Sequence, residues 1–486
     1  MADVPIQEVL KTALDKWGGR NFIYMRVEGA FIPKTFRETT YDVWALAQEL
    51  LALGLKNKHI LIFSENSYAW CILDLAIMGF VGVTVAANAD WKERDLENVI
   101  DIADVECVIY SDSKSDIVES VRKKKPGIRY ISIQDDLPSL LKQGYELLAE
   151  KSSAGEFEKR STREMSKIVF TSGTTSASKA VMLGGKNLFF GFDSLYRRAP
   201  MGESDSIYLF LPLSHTFGGI YNLLVSLYFG MELYLSSDVG KIFEELQMVN
   251  PSVFCSVPFI YERAYLTLGA GIKNAFGRNI KYMFCGGAKC NLKIRKFYKD
   301  MGLNILEAYA LTETSSSFSI EYSGSKRVGS VGTVFEDIEV KFSDTDENGH
   351  GEILVRGDNV ALGYYNNEEE TQKVFDADGY FHTGDIGYMN EDGELFLVGR
   401  KKRLIRFSNA RSVYPEELEE LLTQSDIIQA AFVYEKDGKI TADLVSSADK
   451  KTIDLLVEEL NETLPRYKRI GKTVITDSIH TKLVKL

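Results

Sequence analysis

The sequence has little that could clamp a fold covalently or hold a structural metal. Its 486 residues include five cysteines, Cys71, Cys107, Cys255, Cys285 and Cys290, and no two of them form a Cys-x-x-Cys pair. That argues against both a disulfide framework and a zinc site, and reduced thiols in the cytoplasm are the simplest reading. Cationic charge is also short: 57 Lys and Arg face 69 Asp and Glu, for a formal net charge of −12. A nucleic acid demands a broad basic face, so it is excluded as the main partner, and any anionic ligand must be met by local positive charge. The opening MADVPIQEVLKTALDKW has no basic segment leading into an apolar core, so no secretory signal is expected. Internal repeats and low-complexity tracts are absent as well. Residues 206–231, SIYLFLPLSHTFGGIYNLLVSLYFGM, lack every Asp, Glu, Lys and Arg and are long enough to mimic a membrane span. Pro212, His215, Gly218 and Gly219 interrupt that stretch, so a buried strand, loop and helix lining a pocket is expected instead of a transmembrane segment.

What is present reads as a globular α/β chain. An apolar share of 45% and a charged share of 26% are ordinary for such proteins. A length of 486 residues exceeds what one hydrophobic core usually serves, so two or more domains are expected. Strand-like HILIFS precedes helical SYAWCILDLAIMGFV, CVIYSD precedes SDIVESVRKK, and SVFCSVP precedes FIYERAYLTL. Such alternation predicts largely parallel sheets, with ligands outside the carboxyl ends of the strands. From about residue 327 the texture turns to short strands and turns, IEVKFSDTDENGHGEILVRG and YMNEDGELFLVGR, which predicts an antiparallel β subdomain. After GRKKRLIRF a smaller unit begins, with helical YPEELEELLTQ, strand-like AAFVYEKDGKITADLV and helical TIDLLVEELNETL. The boundary is drawn at Arg403, giving domains 1–402 and 403–486.

Three stretches carry candidate chemistry. TSGTTSASK sets Thr171, Ser172, Gly173, Thr174, Thr175 and Lys179 between two apolar runs. Hydroxyls, a glycine for close backbone approach and a terminal ammonium suit phosphate oxygens, although a Ser/Thr-rich surface turn fits this stretch equally well by itself. It is not a Walker A loop, since the Gly-Lys-Ser/Thr ending is missing. ILEAYALTETSSS delivers Tyr309, whose ring suits stacking on a base, and then Thr312 and Glu313, an oxygen pair suited to Mg²⁺ beside phosphates. GYFHTGDIGYMNEDGELFLVGRKKRLIRF places Asp385 where a carboxylate could hold ribose hydroxyls, with Arg400 following 15 residues later. The run Arg400, Lys401, Lys402, Arg403 and Arg406 reads first as a solvated charged face and second as a phosphate site at the domain boundary.

In this order and spacing the stretches resemble the adenylate-forming (AMP-binding) superfamily of acyl-CoA synthetases, carrier-protein-loading adenylation domains and luciferases. The resemblance covers nearly the whole chain. It takes in LALGLKNKHILIFSENSYAWCILDLAIMGFVGV, FLPLSHTFGG, MFCGGAKC, LPRYKRI and the closing HTKLVKL. SNARSVYPEELEELL is most similar to the corresponding loop of bacterial long-chain fatty-acyl-CoA synthetases.

The resemblance implies a large N-terminal domain of parallel-rich sheets with flanking helices and a β subdomain, followed by a small mobile α+β C-terminal domain. It implies an ATP-dependent acid–thiol ligase that activates a carboxylic acid, here an aliphatic one, as acyl-AMP and transfers it to CoA. A carrier protein loaded in trans, or an ATP- or acyl-binding relative with weak turnover, is the alternative. The loop from Thr171 to Lys179 would wrap the β- and γ-phosphates. Glu313, with Thr171, would serve Mg²⁺, Thr312 would lie at the α-phosphate, and Tyr309 would stack on adenine. Asp385 would hold the ribose, supported by Arg400, with Gly286, Gly287 and Ala288 along the adenine and His215 near the carboxylate. Lys485 matches the lysine that bridges carboxylate and α-phosphate. Arg403 takes the hinge position, and Ser408, Asn409 and Ala410 lie in the loop that approaches pantetheine. The family's usual glycines are Ser176, Ala180, Ala310, Ala410 and Val484 here, and its usual proline is Ser178. An active but altered synthetase is expected, cytoplasmic, with peripheral membrane attachment and oligomeric state left open.

Overall fold

Strand and helix alternate as the sequence predicts, and the strands gather into two large, mostly parallel sheets. The computed structural model describes residues 4–150, 156–171, 178–322, 329–407 and 412–479. The 9-stranded sheet runs in the order Thr333–Val334, Ser319–Ile320, Ile305–Tyr309, Tyr282–Cys285, Val253–Ser256, Ser206–Leu209, Glu232–Leu235, Asn21–Val27, Ala30–Thr35. From Ile305–Tyr309 to Asn21–Val27 every pairing is parallel, with antiparallel strands at both edges. The 7-stranded sheet runs Gly363–Tyr364, Ala180–Gly184, Met165–Phe170, Val83–Ala86, His59–Phe63, Cys107–Tyr110, Arg129–Ser132. Its first two pairings are antiparallel and the remaining four parallel.

One hydrophobic core fills the space between these sheets, drawing on Val169 and Val181 from one and Phe254 and Leu306 from the other. A second core, with Ile168 and Phe170, covers the other side of the smaller sheet. The central helix Phe36–Ala52 starts on a capping box: the Glu38 N–H donates to Thr35 Oγ1 at 3.1 Å, and the Thr35 N–H donates to the Glu38 carboxylate at 2.8 Å. Both bonds satisfy donors that a helix start otherwise leaves bare.

A buried ion pair crosses from sheet to helix. Lys167 Nζ lies 2.7 Å from Asp74, with side-chain exposures of 2% and 0%, and sits 4.9 Å from the Trp70 ring centroid. Removing either partner would leave a bare charge in an apolar interior, a cost of about 3–5 kcal/mol.

The stretch 206–231 is strand, loop and helix as expected. Strand Ser206–Leu209 is followed by a short helix Thr216–Gly218, a π-turn Gly219–Leu224 and helix Val225–Phe229. Among the described residues no helix is long and apolar enough to cross a membrane.

The expected antiparallel subdomain is a 4-stranded sheet, Glu339–Ser343, Gly351–Arg356, Phe381–Met389, Leu395–Arg400. Beyond it, a 3-stranded sheet of Ile428–Lys436, Lys439–Ser446 and Ile470–Ile475 packs with helices Pro415–Thr423 and Lys450–Thr463 around a separate core that includes Ile405, Leu418 and Ile453. Arg403 faces this last unit. Its guanidinium reaches Glu416 at 3.2 Å and Glu419 at 2.5 Å, donates to the Val433 carbonyl, and stacks over Phe432.

Candidate functional site

Strands Met165–Phe170 and Ala180–Gly184 form an antiparallel pair, and the hydroxyl-rich stretch joins them. Its base is closed where the Thr171 N–H donates to the Lys179 carbonyl at 3.1 Å. Ser172, Gly173, Thr174 and Thr175 lie outside the described residues. Lys179 Nζ pairs with Glu370 at 2.8 Å and stands 4.7 Å from the centroid of the Tyr364 ring. The hydroxyl of that same tyrosine donates to Glu313 Oε1 at 2.7 Å. Tyr364 can do this because its short strand pairs with Ala180–Gly184, immediately after Lys179. Lys179 and Glu313 are therefore brought together on one aromatic ring although 133 residues lie between them in sequence.

Glu313 sits on a single 3-10 turn, Thr312–Thr314, directly after the strand that ends at Tyr309. Ser315 follows with φ 61, a conformation that a residue bearing a Cβ rarely adopts. Two bonds hold it there: its hydroxyl donates to the Asn187 carbonyl at 3.0 Å, and its N–H donates to the Thr312 carbonyl at 3.0 Å. The turn that presents Thr312 and Glu313 is thus fixed from behind.

The carboxyl ends of the parallel strands bring the second group together. Gly286 follows strand Tyr282–Cys285, and its N–H donates to the Ser256 carbonyl at the end of the neighbouring strand. A Cβ at Gly286 would meet the Phe217 ring at 3.4 Å and the Ala308 carbonyl at 3.7 Å. The turn carrying His215 and Phe217 therefore lies against the strand that ends at Tyr309. Gly287 adopts φ +82, a conformation glycine reaches without strain, and Ala288 is exposed. His215 caps the Thr216–Gly218 helix, its Nδ1 accepting from the Phe217 N–H at 3.3 Å.

Asp385 and Arg400 face each other across strands Phe381–Met389 and Leu395–Arg400 and form an ion pair of 2.8 Å. The other Asp385 oxygen accepts from the Tyr309 hydroxyl at 2.6 Å, and the Tyr309 ring packs on Phe318 at 4.7 Å between centroids. Burial pushes the Asp385 carboxyl above the usual aspartate range despite the opposing pull of Arg400 and the tyrosine hydroxyl. Much of the remaining basic run answers carboxylates of the protein itself: Lys401 meets Glu352 at 2.7 Å, and Arg403 meets Glu416 and Glu419. That favours the charged-face reading of these two cations over a phosphate site.

The AMP-binding enzyme family matches residues 11–365 of the chain. This chain belongs to that family. Among its relatives is the long-chain-fatty-acid–CoA ligase FadD15 of Mycobacterium bovis, 27% identical over 474 residues that span 85% of this chain and 77% of the relative. The peroxisomal long chain acyl-CoA synthetase 7 of Arabidopsis thaliana is 25% identical over 520 residues, 92% of this chain and 74% of that one. Among solved structures, the anthranilate CoA ligase AuaEII in complex with anthranoyl-AMP superposes with a TM-score of 0.86 at 18% identity, covering 99% of this chain and 95% of that one. The shared fold is mixed α/β with a large N-terminal part and a smaller C-terminal part.

For this AMP-binding enzyme the structure joins most of the described candidates into two clusters: Thr171, Lys179 and Glu313 in one, and His215, Gly286, Tyr309, Asp385 and Arg400 in the other. Ser408, Asn409, Ala410 and Lys485 lie outside the described residues. Sequence reasoning missed Tyr364, Glu370 and Ser315. It also missed the buried triad in which Arg295 meets Glu307 at 2.7 Å and Glu321 at 2.5 Å, while Glu307 accepts from the Cys290 N–H at 2.8 Å. That triad ties the segment after Ala288 to the strand bearing Tyr309. The one available signal was the presence of two acidic residues, Glu307 and Glu321, in strand-like apolar runs, where a carboxylate needs a partner.

Proposed function

We propose that this AMP-binding enzyme is an acyl-CoA synthetase for aliphatic carboxylic acids, using ATP and CoA as co-substrates. The observation that carries the reading is the meeting of Lys179 and Glu313 on the Tyr364 ring at the base of the hydroxyl loop. A cation for phosphate oxygens thereby stands beside a carboxylate for the metal that accompanies them.

A carboxylate resists acyl substitution because it is anionic and has no good leaving group. In the first half-reaction its oxygen attacks the α-phosphorus of ATP, the bond to the bridging oxygen breaks, and diphosphate leaves. In the second, the sulfur of CoA attacks the acyl carbon, the carbon–oxygen bond to AMP breaks, and the thiol proton passes to solvent. Lys179 exchanges Glu370 for the β- and γ-phosphates, helped by Ser172, Gly173, Thr174 and Thr175. Asp385, steadied by Arg400, exchanges a protein partner for ribose hydroxyls. Gly286, Gly287 and Ala288 border the adenine together with Tyr309, and Thr312 faces the α-phosphate. His215 stands near the carboxylate, and Lys485 offsets the charge that builds as two anions meet.

Among the described residues no group of three or more His, Cys, Asp or Glu could hold a metal. Mg²⁺ characteristically takes one or two carboxylates plus substrate phosphates, so the Glu313 carboxylate, with the Thr171 hydroxyl as a second oxygen, fits a metal that arrives with ATP. When bound, the ion would neutralise phosphate charge. The separate core around Leu418 supports a domain division near Arg403 and a hinge there, with Ser408, Asn409 and Ala410 on the CoA side. The relatives' names and the buried apolar stretch 206–231 support an aliphatic acid.

Carboxylate-dependent pyrophosphate release from Mg-ATP, measured over short, medium and long aliphatic acids and aryl acids with and without CoA, tests this. CoA-dependent AMP and acyl-CoA from aliphatic acids is the expected result. AMP release only with a phosphopantetheinylated carrier protein would overturn the CoA half, and no release with any acid would overturn the whole.

A further inference from the structure

The helix Pro258–Leu268 buries one side and leaves the other unpartnered. Ile260, Tyr261 and Ala264 face the core, while Phe259 is 62% exposed, Leu266 75% and Leu268 36%. Phe259, Arg263 and Leu266 recur at i, i+4 and i+7, so an apolar, a basic and an apolar side chain share the outward face. A soluble surface seldom concentrates large apolar side chains this way without a partner.

Charge indicates which partner fits. Between Met248 and Lys299 the chain carries nine Lys or Arg and a single acidic residue, Glu262, within a protein whose net charge is −12. Several of these cations are neutralised: Lys281 by Asp205, Lys289 by Glu420, Lys293 by Asp426 and Arg295 by Glu307. Arg263, Lys273, Arg278 and Lys296 are exposed and pair with no carboxylate among the described residues. Lys273 lies on the neighbouring helix Ile272–Ala275. Lys296 lies beside Phe297, whose ring packs on Tyr265 of the exposed helix at 4.8 Å. Arg263 therefore shares the outward face of Phe259 and Leu266, and Lys273 lies on the helix that follows it.

We propose that this face, centred on the Pro258–Leu268 helix, docks the enzyme on an anionic lipid bilayer. Phe259 and Leu266 enter the interface, and the unpaired Arg263 and Lys273 answer lipid phosphates. A second copy fits less well, because a two-fold contact through this face would set like charges against each other. The negative remainder of the molecule is repelled by an anionic surface, so the same charge asymmetry fixes the orientation of docking. Val257, just before the helix, lies 3.5 Å from where a Cβ of Gly287 would be. Docking therefore brings the candidate site next to the bilayer. The inference does not depend on which acid the enzyme uses.

Co-flotation of the full-length protein with vesicles of phosphatidylcholine alone, or mixed with phosphatidylglycerol, is the test. The protein is expected to float with the mixed vesicles, to float far less with phosphatidylcholine alone, and to be released by salt. Phe259→Ser with Leu266→Ser is expected to lower binding to mixed vesicles by about tenfold or more. Arg263→Ser with Lys273→Ser is expected to erase the preference for anionic lipid. All four side chains are exposed, so unchanged melting temperatures and unchanged turnover of a short, water-soluble acid accompany the expected result. Equal flotation with both vesicle types, or undiminished binding by both double variants, would overturn the proposal. A dimer in sedimentation velocity that the Phe259/Leu266 variant splits would overturn it too, and would make the face a self-association surface.

Discussion

Two carboxylates of the site each accept a hydrogen bond from a tyrosine, Asp385 at 2.6 Å and Glu313 at 2.7 Å, and beyond that they differ. Asp385 is buried in a long strand, and its second oxygen is engaged by Arg400 at 2.8 Å. Glu313 is half-buried on a single turn and makes no ion pair among the described residues. A carboxylate with both oxygens engaged is fixed in place and must trade partners to hold a ligand. One fixed through a single oxygen keeps the other for a cation. On the proposed function, the same tyrosine–carboxylate contact serves a ligand holder at one position and a cation acceptor at the other, and the surroundings decide which. The two also sense each other, since the charge on Glu313 helps raise the Asp385 carboxyl.

Substitutions sharpen this contrast. Glu313→Gln is expected to have the largest effect, a fall of about 10²–10³-fold in kcat for pyrophosphate release with a smaller change in the KM for ATP, because it removes charge stabilisation where charge moves. Asp385→Asn is expected to act mainly in binding, raising the KM for ATP about tenfold or more with a lesser loss in kcat, as a charged hydrogen-bond acceptor is lost. Steady-state kinetics of the two variants in parallel decide the matter: the same split between kcat and KM in both would break the comparison. Tyr364→Phe frees the Glu313 oxygen without removing its charge, and should weaken the Mg²⁺ dependence of activity about tenfold while leaving saturated turnover closer to normal.

The smallest expected effect concerns stability. Burial pushes the Glu307 carboxyl from 4.5 up to about 7, against the opposing pull of Arg295. The native state therefore holds this proton more tightly than the unfolded chain does. The resulting stabilisation is complete below pH 4.5 and is lost as pH rises through about 7. Calorimetry across that window should show a melting temperature that declines by a few degrees more in the wild type than in Glu307→Gln. An identical slope in both would show that Glu307 carries no such linkage.

The strand–helix alternation was legible because parallel sheets buried on both faces leave apolar runs such as HILIF and CVIY between turn signals. The motifs gave Lys179, Tyr309, Glu313, Asp385 and Arg400, since each lies in or next to a short stretch with distinctive local chemistry. Tyr364 carries no such mark. Its role arises from a two-residue strand pairing with Ala180–Gly184, a contact between distant positions that no local periodicity encodes. The pairing of Lys179 with Glu370 was hidden for the same reason. Within SYAWCILDLAIMGFV the apolar residues suggest one helix, but the structure changes to a π-turn over Ile77–Val81. An extra residue in a turn leaves the composition unchanged, so only the fold reveals it.

The Asp74–Lys167 pair also has a consequence for alignment. Lys167 and Val169 point toward the core that holds Trp70, whereas Ile168 and Phe170 point toward the second core, made of Leu61, Phe63, Val85 and their neighbours. A slip of one residue along this strand would exchange the two faces. In a purely aliphatic strand such an error would cost little, because Ile and Val are nearly interchangeable. Here it would drive an ammonium into a wholly apolar layer and strand Asp74 without its partner. The ion pair therefore acts as a proofreader of strand register, and four residues downstream that register sets where Thr171 opens the loop.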